Sequence, residues 1–366
     1  MQDSRGRLLL ANDYAAIDVA HFRGYVDIRG NSSEVSLRDI DGEATVRTSY
    51  KTVHLEDMVG SVVVESPSGD VDGGNIRGDC TVTASYKRVS LEDVTGEVRV
   101  DNQNGSVRLT GIGRDAFVES SYKEIHVNGV KGNLEIRGSS SEVEVADVDG
   151  DVLIRTSYKP VTVERVGGRV EVDNNSGAVD LTSVGNASVV NSYKPVELDQ
   201  VRGDVEVRGS SGEITARRID GNAVVHTSYK PVVVEEVGGD LSIEAGSSSV
   251  TVESVRGDLS ISNSYKPGTV GGTSGSISVR GNNSSVEVTR IAQLARGKTI
   301  ELITTGKPIT LGLPAIAGVR GTLETRFGRI RPGFSIITDG DDKRKARLEL
   351  SDDGGESASR PTRTSR

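Results

Sequence analysis

The sequence predicts an all-β chain: a single-stranded parallel β-solenoid (β-helix) of about sixteen 18-residue coils in eight 36-residue pairs, with a β-rich C-terminal cap. Three observations predict it. The tripeptide Ser-Tyr-Lys returns about every 36 residues, glycine returns about every 18 residues inside that step, and aliphatic residues two apart hold fixed places after each glycine. Composition agrees. A chain of 366 residues ordinarily makes domains of ~150 residues each, yet only 34% of this one is hydrophobic, 4% is aromatic, Trp is absent and Phe occurs four times. Such a chain cannot fill a wide core, but it can fill a narrow one with Val, Ile and Leu. With 44 Gly against 9 Pro it is neither collagen nor Pro-rich disorder.

The coil is the first element. Glycine stands at 6, 24, 42, 60, 78, 96, 132, 150, 168, 185, 203, 221, 239, 257 and 275, with Arg114 in the one gap and a single 17-residue step between Gly168 and Gly185. The fourth residue after each of these sixteen positions is aliphatic, from Leu10 and Ile28 to Ile261 and Val279, and fifteen of the sixteen are β-branched. In the unit opened by Gly132 the apolar residues are Leu134, Ile136, Val143, Val145 and Val148. Pairs two apart are strands with alternate side chains inward, and β-branched residues suit the pleat. Gly, Ser, Asn and Asp between the pairs are corner chemistry. One such coil cannot bury its apolar side, so coils stack in parallel register; sixteen of them at ~4.8 Å make a rod ~77 Å long. Right-handed winding follows from the general handedness of parallel crossovers. The left-handed hexapeptide helix, which also has an 18-residue coil, stays open as the alternative, disfavoured because it wants apolar residues every six and the spacing here is unequal.

The corner eight residues after each glycine is the second element. It reads alternately Tyr and a small polar residue: Tyr50, Tyr86, Tyr122, Tyr158, Tyr193, Tyr229 and Tyr265, with Tyr14 one step earlier, against Ser32, Ser68, Asn104, Ser140, Ser176, Ser211, Ser247 and Asn283. Ring bulk along the rod axis gives a steric reason for small neighbours. Beside the rings runs a lysine column, Lys51, Lys87, Lys123, Lys159, Lys194, Lys230 and Lys266, at ~9.6 Å intervals. Pro160, Pro195, Pro231 and Pro267 follow it, outside the ladder because proline has no N–H to donate. Tyrosine faces with cations are equipment for a repeating anionic polymer. The structural alternative is that the rings cap the corner and the lysines solvate it, offset by nearby Glu and Asp.

The ends come last. Residues 1–5 read as an N-terminal extension, 6–292 as the repeats, 293–338 as terminal coils and cap, and 339–366 as a polar tail, disordered from Ser351 to Arg366. In the cap, 299–311 alternates as strand, corner, strand, and Phe327 and Phe334 supply bulk. The first coil presents a bare edge that could template end-to-end self-association. No run of eighteen apolar residues spans a membrane, and Met1 to Arg5 is not a signal peptide, so the chain as written carries no export address.

Chemistry is sparse. With 44 basic and 53 acidic residues the net charge is −9, and no nucleic acid partner is expected. The single Cys80 excludes an internal disulfide and a cysteine metal cluster, and its place among apolar rungs makes it a small buried side chain. His21, His54, His126 and His226 have no metal-ligand spacing, and Asp339, Asp341 and Asp342 form half of a calcium loop at most. Asp101 to Gly105 and Asp173 to Gly177 are polar, but they lie four coils, ~19 Å, apart. That is too wide for a carboxylate pair on one glycosidic bond, so both read as corners. No metal, cofactor or catalytic residue is expected.

The repeated Gly-x-Val-x-Val units, the Ser-Tyr-Lys-Pro-Val and Asn-Gly corners, and the ending Ile300 to Leu313 with Arg326 to Ile330 resemble the bacterial DUF4097 family of β-helical, adhesin-like proteins. The resemblance covers residues 6 to 338 and implies an envelope or surface location behind an export or membrane segment; it brings no catalytic residues. The expected function is a non-enzymatic surface or cell-envelope scaffold whose Tyr-Lys ladder meets a glycan or another surface protein. Two alternatives stand beside it: a polysaccharide lyase or hydrolase on a β-helix, and a self-assembling filament.

Overall fold

A computed structural model describes residues 5–291, 297–313, 320–324, 337–338 and 345–349. These residues contain no helix. Thirty-three strands join in one continuous parallel β-solenoid of about sixteen turns. Each coil supplies two strands, as in Leu134–Arg137 and Val143–Val148. Each pairs with its equivalent one coil on: Leu134 with Val152, Ile136 with Ile154, Val143 with Val161, Val148 with Val166. The five apolar positions of the coil point inward, and Leu134, Ile136, Val143, Val145 and Val148 are all buried. Stacked, they form one core that runs from Ile17 to Ile291. Cys80 is one of its rungs, and burial pushes its thiol up to about 12.

The second strand carries a feature that the apolar spacing hides. Strict alternation would send the thirteenth and sixteenth residues of a coil to opposite faces, yet both are buried. The residue fifteen after the glycine is left-handed in every coil. The column is His21, Asp39, Asp57, Asn75, Asp93, Gly111, Gly129, Asp147, Arg165, Ser183, Gln200, Arg218, Glu236, Ser254, Gly272 and Arg290, with φ between 52° and 77°. Each member interrupts the ladder for one residue on both strands, with the register kept: Thr110 pairs with Asn128 and Ile112 with Val130, while Gly111 and Gly129 between them do not pair. The chain turns there and brings Ile112 or Val130 back to the core. The column holds no β-branched residue, in keeping with the crowding at Cβ in the left-handed region.

The glycine corner is tight for another reason. A Cβ on Gly60 would stand 2.5 Å from the Gly42 carbonyl oxygen in the coil before. Beside this column the side chains of Asp79, Asp115, Asn133, Asp151, Asn186, Asp204, Asn222, Asp240 and Asp258 each accept the N–H of the equivalent residue one coil on, at 2.7–2.9 Å. The short coil loses its residue at the same corner, between Val184 and Gly185, so no strand changes register: Val179 still faces Val196 and Val184 faces Val201. Arg202 reaches two coils back across the shortened corner and donates to the Val166 carbonyl at 2.7 Å.

At the ends, Arg5–Ala11 pairs with residues 23–29 on one side and, among the described residues, with no strand on the other. Ile300–Thr304 and Ile309–Leu311 add a further coil over residues 277–281 and 286–288. Arg320–Glu324, Ile337–Thr338 and Lys345–Glu349 form a separate antiparallel sheet, so the stretch read as polar tail contains a strand. The extension 1–4, Phe327, Phe334, the aspartates at 339, 341 and 342, and Ser351 to Arg366 lie outside the described residues.

Candidate binding corner

The Tyr-Lys corner joins the two strands of every second coil. Its interior is polar. Inward alternation along the first strand passes through the second and fourth residues after glycine and reaches the sixth, where Thr48, Ser66, Asn102, Ser120, Thr156, Asn174, Asn191, Thr227 and Asn263 are buried. All but Thr227, whose hydroxyl is without a hydrogen-bond partner among the described residues, satisfy corner carbonyls that no strand can pair. Asn102 Nδ2 donates to the Lys87 carbonyl at 2.8 Å, Asn174 Nδ2 to that of Lys159 at 2.9 Å, and Asn263 Nδ2 to that of Lys266 at 2.8 Å. Asn191 Nδ2 bonds the Gly177 carbonyl on the intervening rung at 2.7 Å. The two polar stretches at Asp101 to Gly105 and Asp173 to Gly177 are therefore corner framework, with Asn102 and Asn174 turned inward. Sequence reading missed these amides as determinants of the lysine corner; the available signal was a polar residue at a place where alternation points inward.

Backbone packing adds a cause for the two-coil alternation beyond ring bulk. The lysine carbonyl presses on the next rung: a Cβ on Gly105 would lie 1.8 Å from the Lys87 oxygen, and a Cβ on Gly177 1.8 Å from that of Lys159. Gly69 and Gly212 stand in the same relation to Lys51 and Lys194, and Ser141, Ser248 and Ser284, all buried, occupy the remaining places. A second lysine rung directly above the first would bring a long side chain to a place that is held by a buried Gly or Ser in every such coil.

All fourteen ladder residues are exposed along one line. The rings of Tyr50, Tyr86, Tyr122, Tyr158, Tyr193, Tyr229 and Tyr265 keep 60–67% of their surface open to solvent. Tyr122 and Tyr158 at φ 73° and Tyr265 at φ 65° sit in the left-handed region, where a bulky side chain costs of order 1–3 kcal/mol. Lys51, Lys87, Lys123, Lys159, Lys194, Lys230 and Lys266 are likewise exposed. Among the described residues none of these lysines makes an ion pair or a side-chain hydrogen bond, although Glu34, Asp70, Glu142 and Glu213 stand on the intervening rungs. The expected offset by nearby carboxylates does not occur as pairing.

Elsewhere many surface charges are paired. His21 Nδ1 lies 2.6 Å from Asp39, His126 Nδ1 2.8 Å from Glu144 and His226 Nδ1 3.0 Å from Glu244; His54 sits between Glu34 and Asp72. Arg165 binds Asp147 through two nitrogens at 2.7 and 2.9 Å, and that pairing holds the Asp147 carboxyl below its usual range. Burial, aided by Glu197 on the next coil, pushes the Asp180 carboxyl up. Two shallow grooves open on the strand faces. One of about 450 Å³ passes over His126, Asn128, Glu144 and Glu164, and one of about 700 Å³ over Asn222, Asp240, Ser242, Asp258 and Ser260. Among the described residues no group of three or more His, Cys, Asp or Glu is arranged to hold a metal ion.

Fold and corner together define a class: a parallel β-solenoid that carries one exposed aromatic and cationic line at two-coil intervals. Comparison with protein-family models, with curated proteins and with solved structures finds no match.

Proposed function

We propose that this protein is a non-enzymatic cell-envelope scaffold of adhesin type, and that its Tyr-Lys corner is a docking rail for an acidic polymer, foremost an acidic glycan. One observation carries the reading: seven exposed lysines without ionic partners stand in line on a chain whose net charge is −9, while its arginines and histidines are largely engaged with carboxylates. Buried amides hold the backbone carbonyls of Lys87, Lys159 and Lys266, which lowers the ordering cost of binding there. Screening at physiological salt acts over ~8 Å, so lysines ~9.6 Å apart act nearly independently, and a polymer gains affinity by engaging several at once. The tyrosine rings add faces on which sugar rings can stack. The likeness of the repeats to the DUF4097 adhesins supports the envelope location.

The triple variant Lys123→Ala, Lys159→Ala, Lys194→Ala tests it. Affinity for an acidic glycan at low salt should fall by about tenfold or more, with an unchanged far-ultraviolet dichroism spectrum. Equal binding by the variant would remove the corner from the function. Glycan cleavage by the purified protein that is lost in Asp173→Ala would make it an enzyme instead.

A further inference from the structure

The rail alternates in chemistry as well as in bulk, and on the reading above this defines the polymer. We infer that the ligand is a glycan in which acidic and neutral sugars alternate, with one negative charge per disaccharide.

The rungs between the lysines supply the argument. None of them carries a cation at its seventh to tenth residues. What they present is uncharged hydrogen-bonding chemistry: exposed Gln103 and Asn175 beside the hydroxyls of Ser140, Ser176 and Ser211, continued by Asn31, Ser32 and Asn282 on the rungs that flank the row. Carboxylates at Glu34, Asp70, Glu142 and Glu213 stand next to these groups. The ninth place of these rungs is a buried Gly or Ser, so no side chain projects there between one lysine and the next. A charge on the polymer is thus met by lysine on one coil and, in half of the intervening coils, by a carboxylate on the next.

Repeat length selects among polyanions. A pyranose with its linkage is about as long as a coil is high, ~4.8 Å, so an extended disaccharide matches the ~9.6 Å lysine step. A polyuronate places a carboxylate on every ring, and every second one faces an uncharged or acidic rung; like-charge juxtaposition of this kind is what rejects a wrong partner. Stacked nucleic acid advances ~3.4 Å per phosphate, nearly three charges for each lysine. An alternating glycan puts its uronate against Lys and Tyr and its neutral unit against the amides and hydroxyls.

The test uses the full chain and three probes of matched length: hyaluronan (glucuronate alternating with N-acetylglucosamine), polygalacturonate and single-stranded DNA. Dissociation constants are measured by calorimetry at one salt concentration. Hyaluronan should bind at least about tenfold more tightly than either other probe. The double variant Glu142→Lys, Glu213→Lys places cations on two intervening rungs; it should narrow the gap by raising polygalacturonate affinity at least about fivefold. Both glutamates are exposed, so folding is not at issue. Polygalacturonate or DNA binding as tightly as hyaluronan, with all binding reduced by the triple lysine variant, would overturn the alternation and leave the docking rail standing. Failure of every polyanion to bind, or binding indifferent to the lysines, would overturn the rail and the alternation together.

Discussion

At the scale of single residues, the molecule is governed by side chains that close backbone accounts within a corner. Asn174 is buried and bonded to the Lys159 carbonyl. Asn174→Ala should cost about 1–3 kcal/mol, the penalty of an unsatisfied buried carbonyl, and lower the thermal midpoint. Retention of the full midpoint would show that the corner is satisfied by other means. Asp180 behaves in the opposite sense. Its carboxyl is raised from 3.8 by burial, so the folded state binds the proton more tightly than the unfolded one. The resulting penalty is fully present above the raised value and vanishes below 3.8. Asp180→Asn should therefore be the more stable protein at neutral pH, and the difference should close as pH falls through that window; denaturant midpoints across the range measure it. Some residue-level facts could not be read from the sequence. Asp27 occupies an outward position, yet Arg7, Arg29 and Arg47 from three coils cover it and it is buried.

At the scale of the coil, the apolar spacing made the strands and their stacking legible, because valine at the second and fourth places allows little else than an inward-facing strand. It did not reveal the left-handed column. Asp39, Asp57, Asn75 and Gly111 carry the usual signature of that conformation, but Arg165, Gln200 and Glu236 do not. Only the unexplained step from the thirteenth to the sixteenth residue pointed to it. Glu236, exposed at φ 59°, tests the column. Glu236→Gly should be neutral or stabilising by up to about 1 kcal/mol. Glu236→Val should destabilise by more than the roughly 1–2 kcal/mol of an ordinary left-handed residue, since branching at Cβ crowds that region further. Chemical denaturation of the pair decides it, and equal stability of the two variants would contradict the assignment.

At the scale of the whole rod, alternation matters more than length. Deleting residues 96–131 removes a full pair of coils and sets the Ser141 rung against the Lys87 carbonyl. Deleting residues 96–113 alone sets Lys123 there, where every described coil above a ladder lysine carries a buried Gly or Ser. The shorter deletion should be the more destabilising, an inversion that melting of the two proteins would reveal and that a repeat of interchangeable coils would not produce. The ladder itself was legible as a line of residues; its lack of ionic partners was not, because carboxylates stand close to it in sequence.

The most direct measurement of the account is a set of spin-label distances along the corner. With cysteine at Lys123 paired in turn with cysteine at Lys159, Lys194, Lys230 and Lys266, the buried Cys80, its thiol pushed up to about 12, stays unlabelled. The label separations should grow in even steps, ~10, ~19, ~29 and ~38 Å. Separations that level off, or that fail to increase with each pair of coils, would contradict both the stacked rod and the rail upon it.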